Sequence, residues 1–270
     1  VGMQLIPGIY AGAPLSWLDA LFTSTSAVCV TGLIVKDTAV FFTPLGQGFV
    51  LLLIQLGGLG MLTFASLIIM ALGQRLSLRA EASSIVAHES TMHLEGRNIT
   101  RHIVRFTFLF EAIGAVALYA LWVPKFGWKG AAWPAIFHSV SAFCNAGFST
   151  FSDSLMSFQR SPASLIVIVL LILAGGLGFL THTEMWHWLM SWKRKKAFRV
   201  SLQSRVVIFV TLLLTIAATP LFAMFEWNNC LKELAIGDKI TNSFFMSVTP
   251  RTAGFNTIDY GKATDSANLL

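Results

Sequence analysis

Charge is scarce in this sequence. Only 12% of its 270 residues are Asp, Glu, Lys or Arg, against about a quarter in an ordinary soluble domain. That shortage argues against a chain whose helices lie against water. Cysteine is scarce too, at three residues, which supplies neither a disulfide framework nor a metal-binding set. Cys29 and Cys144 hold the same place in a repeated motif and read as small buried apolar positions. Acids are outnumbered, giving a net charge of +6. The excess lies in two short links, so it is not the footprint of a nucleic-acid partner. No secretory signal opens the chain at Val1, which begins mid-pattern in what reads as an outer loop.

What the sequence has in quantity is apolar length. Hydrophobic residues make up 55% of it. Four segments, 46–72, 106–122, 164–190 and 206–225, are almost free of charge. About 20 apolar residues suffice for a helix to cross the hydrocarbon of a bilayer. Three of the four meet that length, and 106–122 reaches it by extending back through Ile99. One link between spans carries Arg75, Arg79, Arg97, Arg101 and Arg105; the next carries Lys193, Arg194, Lys195, Lys196, Arg199 and Arg205. Lys and Arg favour the cytoplasmic side. The basic links are therefore expected inside and the intervening loops outside a multi-pass protein of the cell's inner (plasma) membrane. The run 193–196 reads as a topology anchor, with anionic lipid or an acidic partner as the alternative.

The most informative feature is a repeat, which decides the fold before any local detail. Residues 22–33, Phe-Thr-Ser-Thr-Ser-Ala-Val-Cys-Val-Thr-Gly-Leu, recur at 137–148 as Phe-His-Ser-Val-Ser-Ala-Phe-Cys-Asn-Ala-Gly-Phe. They recur more loosely at 244–255 as Phe-Phe-Met-Ser-Val-Thr-Pro-Arg-Thr-Ala-Gly-Phe. Each copy ends a short apolar segment at a glycine and lies between long apolar segments. Ser16, followed by Asp19 as in a capping box, starts a first short helix running to about Val28. Pro134 suits the first turn of a second, after an outer loop holding Pro124, Gly127 and Gly130. A third starts near Lys239.

The expected architecture is an all-α membrane protein of repeated span, pore-helix, filter-loop, span units around a pseudo-symmetric pore. The units divide as 1–75 (partial), a cytoplasmic link 76–98, 99–192 (complete), a basic link 193–204, and 205–270 (partial). The first lacks a leading span and the last a trailing one, as expected of a segment of a longer chain.

Such loops suit a cation. Non-helical backbone at membrane depth is tolerated only inside protein or against a watery cavity. Its carbonyls can replace an ion's water shell, and glycine lets the backbone turn them inward. The short helices point their partially negative C-termini at the membrane centre. Asp37, Asp153 and Asp259 follow the three glycines at nearly the same offset. They read either as a cation-concentrating outer mouth or as three solvated loop acids.

These motifs resemble the pore loops of the Trk/Ktr/HKT potassium transporters, most closely the membrane subunit of bacterial Ktr systems. The runs Gln55-Leu-Gly-Gly-Leu-Gly60 and Gly175-Gly-Leu-Gly178 fit that family as well. The resemblance covers nearly the whole chain. It implies four units around one pore, and filter glycines at Gly32, Gly147 and Gly254. Val30, Thr31, Asn145, Ala146, Thr252 and Ala253 would supply further filter carbonyls. It implies potassium as the permeant ion, sodium as a coupling or activating ion, and no cofactor in this chain. It also implies a homodimer in membrane lipid, seated on a cytosolic nucleotide-binding ring.

Other residues keep alternatives open. The span glycines Gly57, Gly58, Gly60, Gly175, Gly176 and Gly178 read as close-packing positions, or as hinges. Glu111 is either functional or paired with a cytoplasmic arginine such as Arg105. Arg251 is expected behind the filter, bonding loop carbonyls. His182, Glu184 and His187 lack His-Glu-x-x-His spacing but leave open a membrane-embedded metal-dependent enzyme. A non-transporting scaffold is the remaining alternative. His88, Glu89 and His93 read as solvated or as facing a cytosolic partner.

Overall fold

A computed structural model describes residues 2–60, 96–193 and 200–269. The first trailing span beyond Gly60 lies outside the described residues, as do Arg75, Arg79, His88, Glu89, His93 and the basic run 194–199. Among the described residues every regular element is helical, with one isolated bridge between Tyr10 and Phe42.

The first repeat comprises α1 (Gly2–Leu5), α2 (Trp17–Val28), α3 (Thr38–Phe41) and α4, described over Pro44–Gly60. Ser16 caps α2 as its spacing predicts: its Oγ accepts the Asp19 N–H at 3.1 Å. The stretch before it opens with the helical turn α1 and is not wholly loop. Tyr10 ties the turn down by donating its hydroxyl to Met3 O at 2.8 Å.

The second repeat departs from expectation twice. Its leading span and short helix form one run, α5 (Gly96–Phe143), broken only at Gly127 (φ 72°, ψ 168°). The expected outer loop is thus a one-residue corner, possible because glycine alone enters that backbone region freely. Helix resumes directly after the corner, so Pro134 falls inside it and not in its first turn. The second departure is the trailing span. After the 3₁₀ turn Met156–Phe158, α6 (Pro162–Leu177) begins with Pro162 in its first turn, then yields at Gly178 (φ 77°, ψ 154°) to α7 (Phe179–Lys193). The two helices are bent by 101°. The segment 164–190 is therefore an elbow and not a straight span.

The third repeat holds α8 (Leu202–Glu226), α9 (Ile236–Val248) and α10 (Asp265–Leu269). The short helix α9 starts a few residues earlier than Lys239, with Ala235 at its N-cap. Helices α5 and α8 are long and apolar enough to cross a membrane, and the bent pair makes a third if counted as one span. Helix α8 leaves Phe209 64% and Ile216 69% exposed, which suits contact with lipid and not water.

Two apolar cores hold the repeats together. One packs Met3, Ile9, Val50 and Ile54 of the first repeat against Phe137 and Phe148 of the second. The other joins Trp122, Phe143 and Ile168 of the second to Phe245 and Phe255 of the third. Buried polar groups bridge repeats as well: Trp133 Nε1 donates to Gln47 Oε1 at 2.6 Å. The loops after the second and third glycines are cross-bonded. Leu155 N donates to Asn256 O at 3.0 Å, Asn256 N to Ser154 Oγ at 3.2 Å and Asn242 Nδ2 to Gln159 O at 2.8 Å. Gln159 Nε2 donates to Thr257 O.

Candidate functional site

The three glycine loops share a backbone signature. The residue two before each glycine is left-handed: Val30 (φ 55°), Asn145 (φ 58°) and Thr252 (φ 80°). Each glycine is positive as well: Gly32 (φ 81°), Gly147 (φ 70°) and Gly254 (φ 74°). β-Branched Val30 and Thr252 are out of place there, and such strain persists only where surrounding structure imposes it.

The first two loops are imposed by matching bonds. Thr31 N donates to Ser26 O at 2.8 Å, and Ala146 N to Ser141 O at 2.7 Å. Cys29 N reaches Thr25 O at 2.8 Å, and Cys144 N reaches Val140 O at 2.9 Å. The third loop is wired differently, with Ala253 N donating to Thr249 O at 2.9 Å. Pro250 stands there in the place of Val28 and Phe143, and its missing N–H stops the helix. Two hydroxyls tether the far side of the loops: Ser141 Oγ donates to Phe148 O at 2.7 Å, and Thr249 Oγ1 to Phe255 O at 2.6 Å. Sequence reasoning missed both: Ser141 is the counterpart of Ser26, whereas Thr249 stands one place later in its own motif.

The structure brings the three glycines into one contact group. A Cβ on Gly32 would lie 2.6 Å from Ala146 O, and one on Gly147 would lie 2.9 Å from Ala253 O and 3.0 Å from Gly254 Cα. A Cβ on Gly254 would lie 3.2 Å from Gly147 Cα. The Ala146 and Ala253 carbonyls thus face a neighbouring loop's glycine, while their methyl groups are buried.

On the helix side of the loops lies a cavity of about 530 Å³ lined by Cys29, Val30, Thr31, Gly58, Phe143, Cys144, Asn145, Gly175 and Thr252. The C-termini of α2 and α5 open onto it, bringing unsatisfied carbonyl charge to its wall. Cys29 is exposed and Cys144 partly so, which corrects the expectation that both are fully buried.

The acids and Arg251 sit as follows. Asp37 caps α3, accepting from Ala39 N at 2.8 Å. Asp153 accepts from Ser157 N at 2.9 Å. Asp259 accepts from Gly261 N at 3.0 Å and pairs with Lys262 at 3.6 Å. All three organise their own turns. Arg251 lies beside the third loop, but it donates to Thr211 O at 3.0 Å and Thr215 Oγ1 at 2.6 Å of α8. It fastens the loop to the leading span and does not bond the filter carbonyls expected of it. Glu226, fully buried and unnoticed in the sequence, accepts from Thr264 N at 2.7 Å, Asn229 Nδ2 at 2.9 Å and Cys230 N at 3.2 Å. It thereby anchors the segment that carries Asp259.

The span glycines divide. A Cβ on Gly57 would lie 1.9 Å from Val28 O, and one on Gly175 would lie 1.8 Å from Phe143 O. Val28 and Phe143 are equivalent residues, so each trailing helix uses glycine to clear the end of its own short helix. Gly58 instead clears the next repeat, since its Cβ would lie 2.5 Å from Cys144 Sγ. Gly178 has nothing within 4 Å of a Cβ and is the hinge instead.

The hinge frees Ala174 O from its usual helical partner, and His182 Nε2 takes that bond at 2.7 Å. Glu184 Oε2 accepts from Ser201 N at 2.9 Å. No metal-holding cluster occurs among the described residues. His182→Ala should therefore destabilise the protein by about 1–3 kcal/mol, read as a lower thermal midpoint in detergent. A metal chelator should leave the function of the wild type unchanged.

Long apolar helices and three short helices ending in converging glycine loops over one cavity define a pore-loop membrane protein. The chain belongs to the TrkH family of cation transport proteins, which matches it over residues 3–270. It is 39% identical over 265 residues to the Ktr system potassium uptake protein B of Vibrio alginolyticus, covering 97% of this chain and 57% of that protein. It is 41% identical over 254 residues to the protein of the same name from Bacillus subtilis, covering 92% and 55%. It is 39% identical over 264 residues to the potassium/sodium uptake protein NtpJ of Enterococcus hirae, covering 96% and 56%. The chain thus spans about half the length of the curated relatives it matches. In fold it resembles the potassium transporter TrkH from Vibrio parahaemolyticus, with a TM-score of 0.65, 22% identity, and coverage of 90% of this chain and 46% of that one. A transporter family leaves no support for the enzyme alternative at His182, Glu184 and His187.

Proposed function

We propose that this chain forms part of the path for potassium uptake across the plasma membrane, as the pore-forming subunit of a Ktr/Trk-type system. The observation that carries the reading is the convergence of Gly32, Gly147 and Gly254, each with positive φ and each touching a neighbouring loop. Carbonyls of Val30, Thr31, Gly32, Asn145, Ala146, Gly147, Thr252, Ala253 and Gly254 would replace the water of the permeant ion. In this reading the units divide as expected above, the loops face outward, and the basic links face the cytoplasm. Asp37, Asp153 and Asp259 add negative potential at the outer mouth. Arg251 holds the third loop from behind. Sodium acts as a coupling or activating ion. A homodimer on a cytosolic nucleotide-binding ring is the assembly that fits relatives named as Ktr system proteins.

The test is isotopic rubidium uptake by cells that lack their own potassium uptake and carry the intact gene, with and without competing sodium. Uptake that persists against sodium is expected. Uptake no greater than in cells without the gene would end the proposal.

A further inference from the structure

Glu111 has no role in the filter as described, yet it is the acid nearest to it among the described spans. It lies in the first half of α5 and is 4% exposed. The ion pair found among the described residues, Lys262–Asp259, is elsewhere. The expected pairing with Arg105 therefore does not occur. Among the described residues Glu111 Oε2 has no hydrogen-bond partner, and Oε1 lies 3.9 Å from Cys144 Sγ. Cys144 immediately precedes Asn145, whose positive φ opens the second loop, and both line the cavity.

Two further contacts surround this residue, one at its carboxyl and one at its main chain. Gln55 of α4 lies within reach of the carboxyl, and among the described residues neither of its amide atoms is in a fully formed hydrogen bond. The Glu111 carbonyl accepts from Ser139 Oγ at 2.7 Å, pinning the short helix of the second repeat to its own leading span. Thr107, one turn earlier on α5, also buries an unpartnered hydroxyl. The group is therefore a buried polar knot between the first and second repeats, directly behind one filter loop.

A carboxyl at this depth is expensive to keep, and acids retained within spans mark ion pathways by default. Packing alone would be served by leucine or glutamine. When ionised, this carboxyl would favour a cation in front of Cys144 and Asn145, and a cation held there would in turn favour the ionised form.

We propose that Glu111 is a positioning residue for the second filter loop, setting that loop's affinity for the permeant monovalent cation through Cys144 and Asn145. The proposal rests on the filter reading above. Its test uses rubidium uptake kinetics in the intact protein. Glu111→Gln should raise KM about tenfold, equivalent to about 1.4 kcal/mol, with the maximal rate per molecule in the membrane held within about twofold. Glu111→Asp keeps the charge but withdraws it by one methylene, and should give a KM between the two.

An unchanged KM in Glu111→Gln overturns the proposal, as does a fall in maximal rate with KM unmoved. If Glu111→Gln does not reach the membrane, Glu111→Asp decides: a raised KM supports the proposal and a wild-type KM overturns it. An inert wild type would overturn the filter reading and this proposal with it. A competent wild type beside an unmoved Gln variant would overturn this proposal alone.

Discussion

Gly147→Ser is expected to collapse discrimination between potassium and sodium while leaving folded protein in the membrane. Gly147 sits at φ 70° with Ala253 O 2.9 Å and Gly254 Cα 3.0 Å from the place a Cβ would take. Both neighbours are backbone, so neither can swing aside as a side-chain end would. The added carbon also enters a conformation that costs an L-residue about 1–2 kcal/mol. The second and third loops must part, and carbonyls set for one ion size lose their spacing. Sodium inhibition of rubidium uptake should strengthen by about tenfold or more, equivalent to about 1.4 kcal/mol. An unchanged inhibition constant would show that Gly147 is not in the filter.

Gly175→Ala should have the largest effect on stability, although it adds a single methyl group. Its Cβ would lie 1.8 Å from Phe143 O, backbone against backbone. Relief requires α6 to move away from the end of α5, opening the core around Phe143 and Ile168. A loss of about 3 kcal/mol is expected, seen as a fall in the thermal midpoint of purified protein. Gly57→Ala should match it, since its Cβ would lie 1.9 Å from Val28 O in the equivalent place. Gly60→Ala is the control: nothing lies within 4 Å of its Cβ, and alanine in a helix gains about 0.5–1 kcal/mol over glycine. Equal midpoints for Gly175→Ala and Gly60→Ala would refute the packing argument.

The repeat made most of the architecture legible. Ser16 and Pro162 start helices as their chemistry demands, and the glycines at 32, 147 and 254 mark the tips at which the loops meet. Breaks were harder. A run such as 164–190 is apolar whether straight or bent, so hydropathy carries no sign of the elbow at Gly178. The corner at Gly127 was hidden likewise, since Pro and Gly there suited a longer loop equally well.

The left-handed Val30 and Thr252 run against local preference and follow only from the bonds that surround them. Arg251 was expected to bond loop carbonyls, but its partners lie on a helix distant in sequence. The pair Thr211 and Thr215, one turn apart in the apolar middle of α8, was the available clue. The local caps made by Asp37 and Asp153 were within reach of sequence reasoning, which read these acids as an outer mouth or as solvated loop acids and not as caps.

The cross-bonds between residues 154–159 and 256–257, with Asn242 reaching Gln159 O, give the molecule a gradient of stiffness. Directional bonds fasten the second and third repeats along the rim beyond the glycines. Beneath the glycines lies a hollow walled by helix ends, with Gly58 of α4 and Gly175 of α6 on its sides. Thermal breathing is therefore damped at the rim and admitted below it. In the proposed reading an ion held at the tips would meet the bonded rim on one side and the hollow on the other, and a change in bore would start from the hollow.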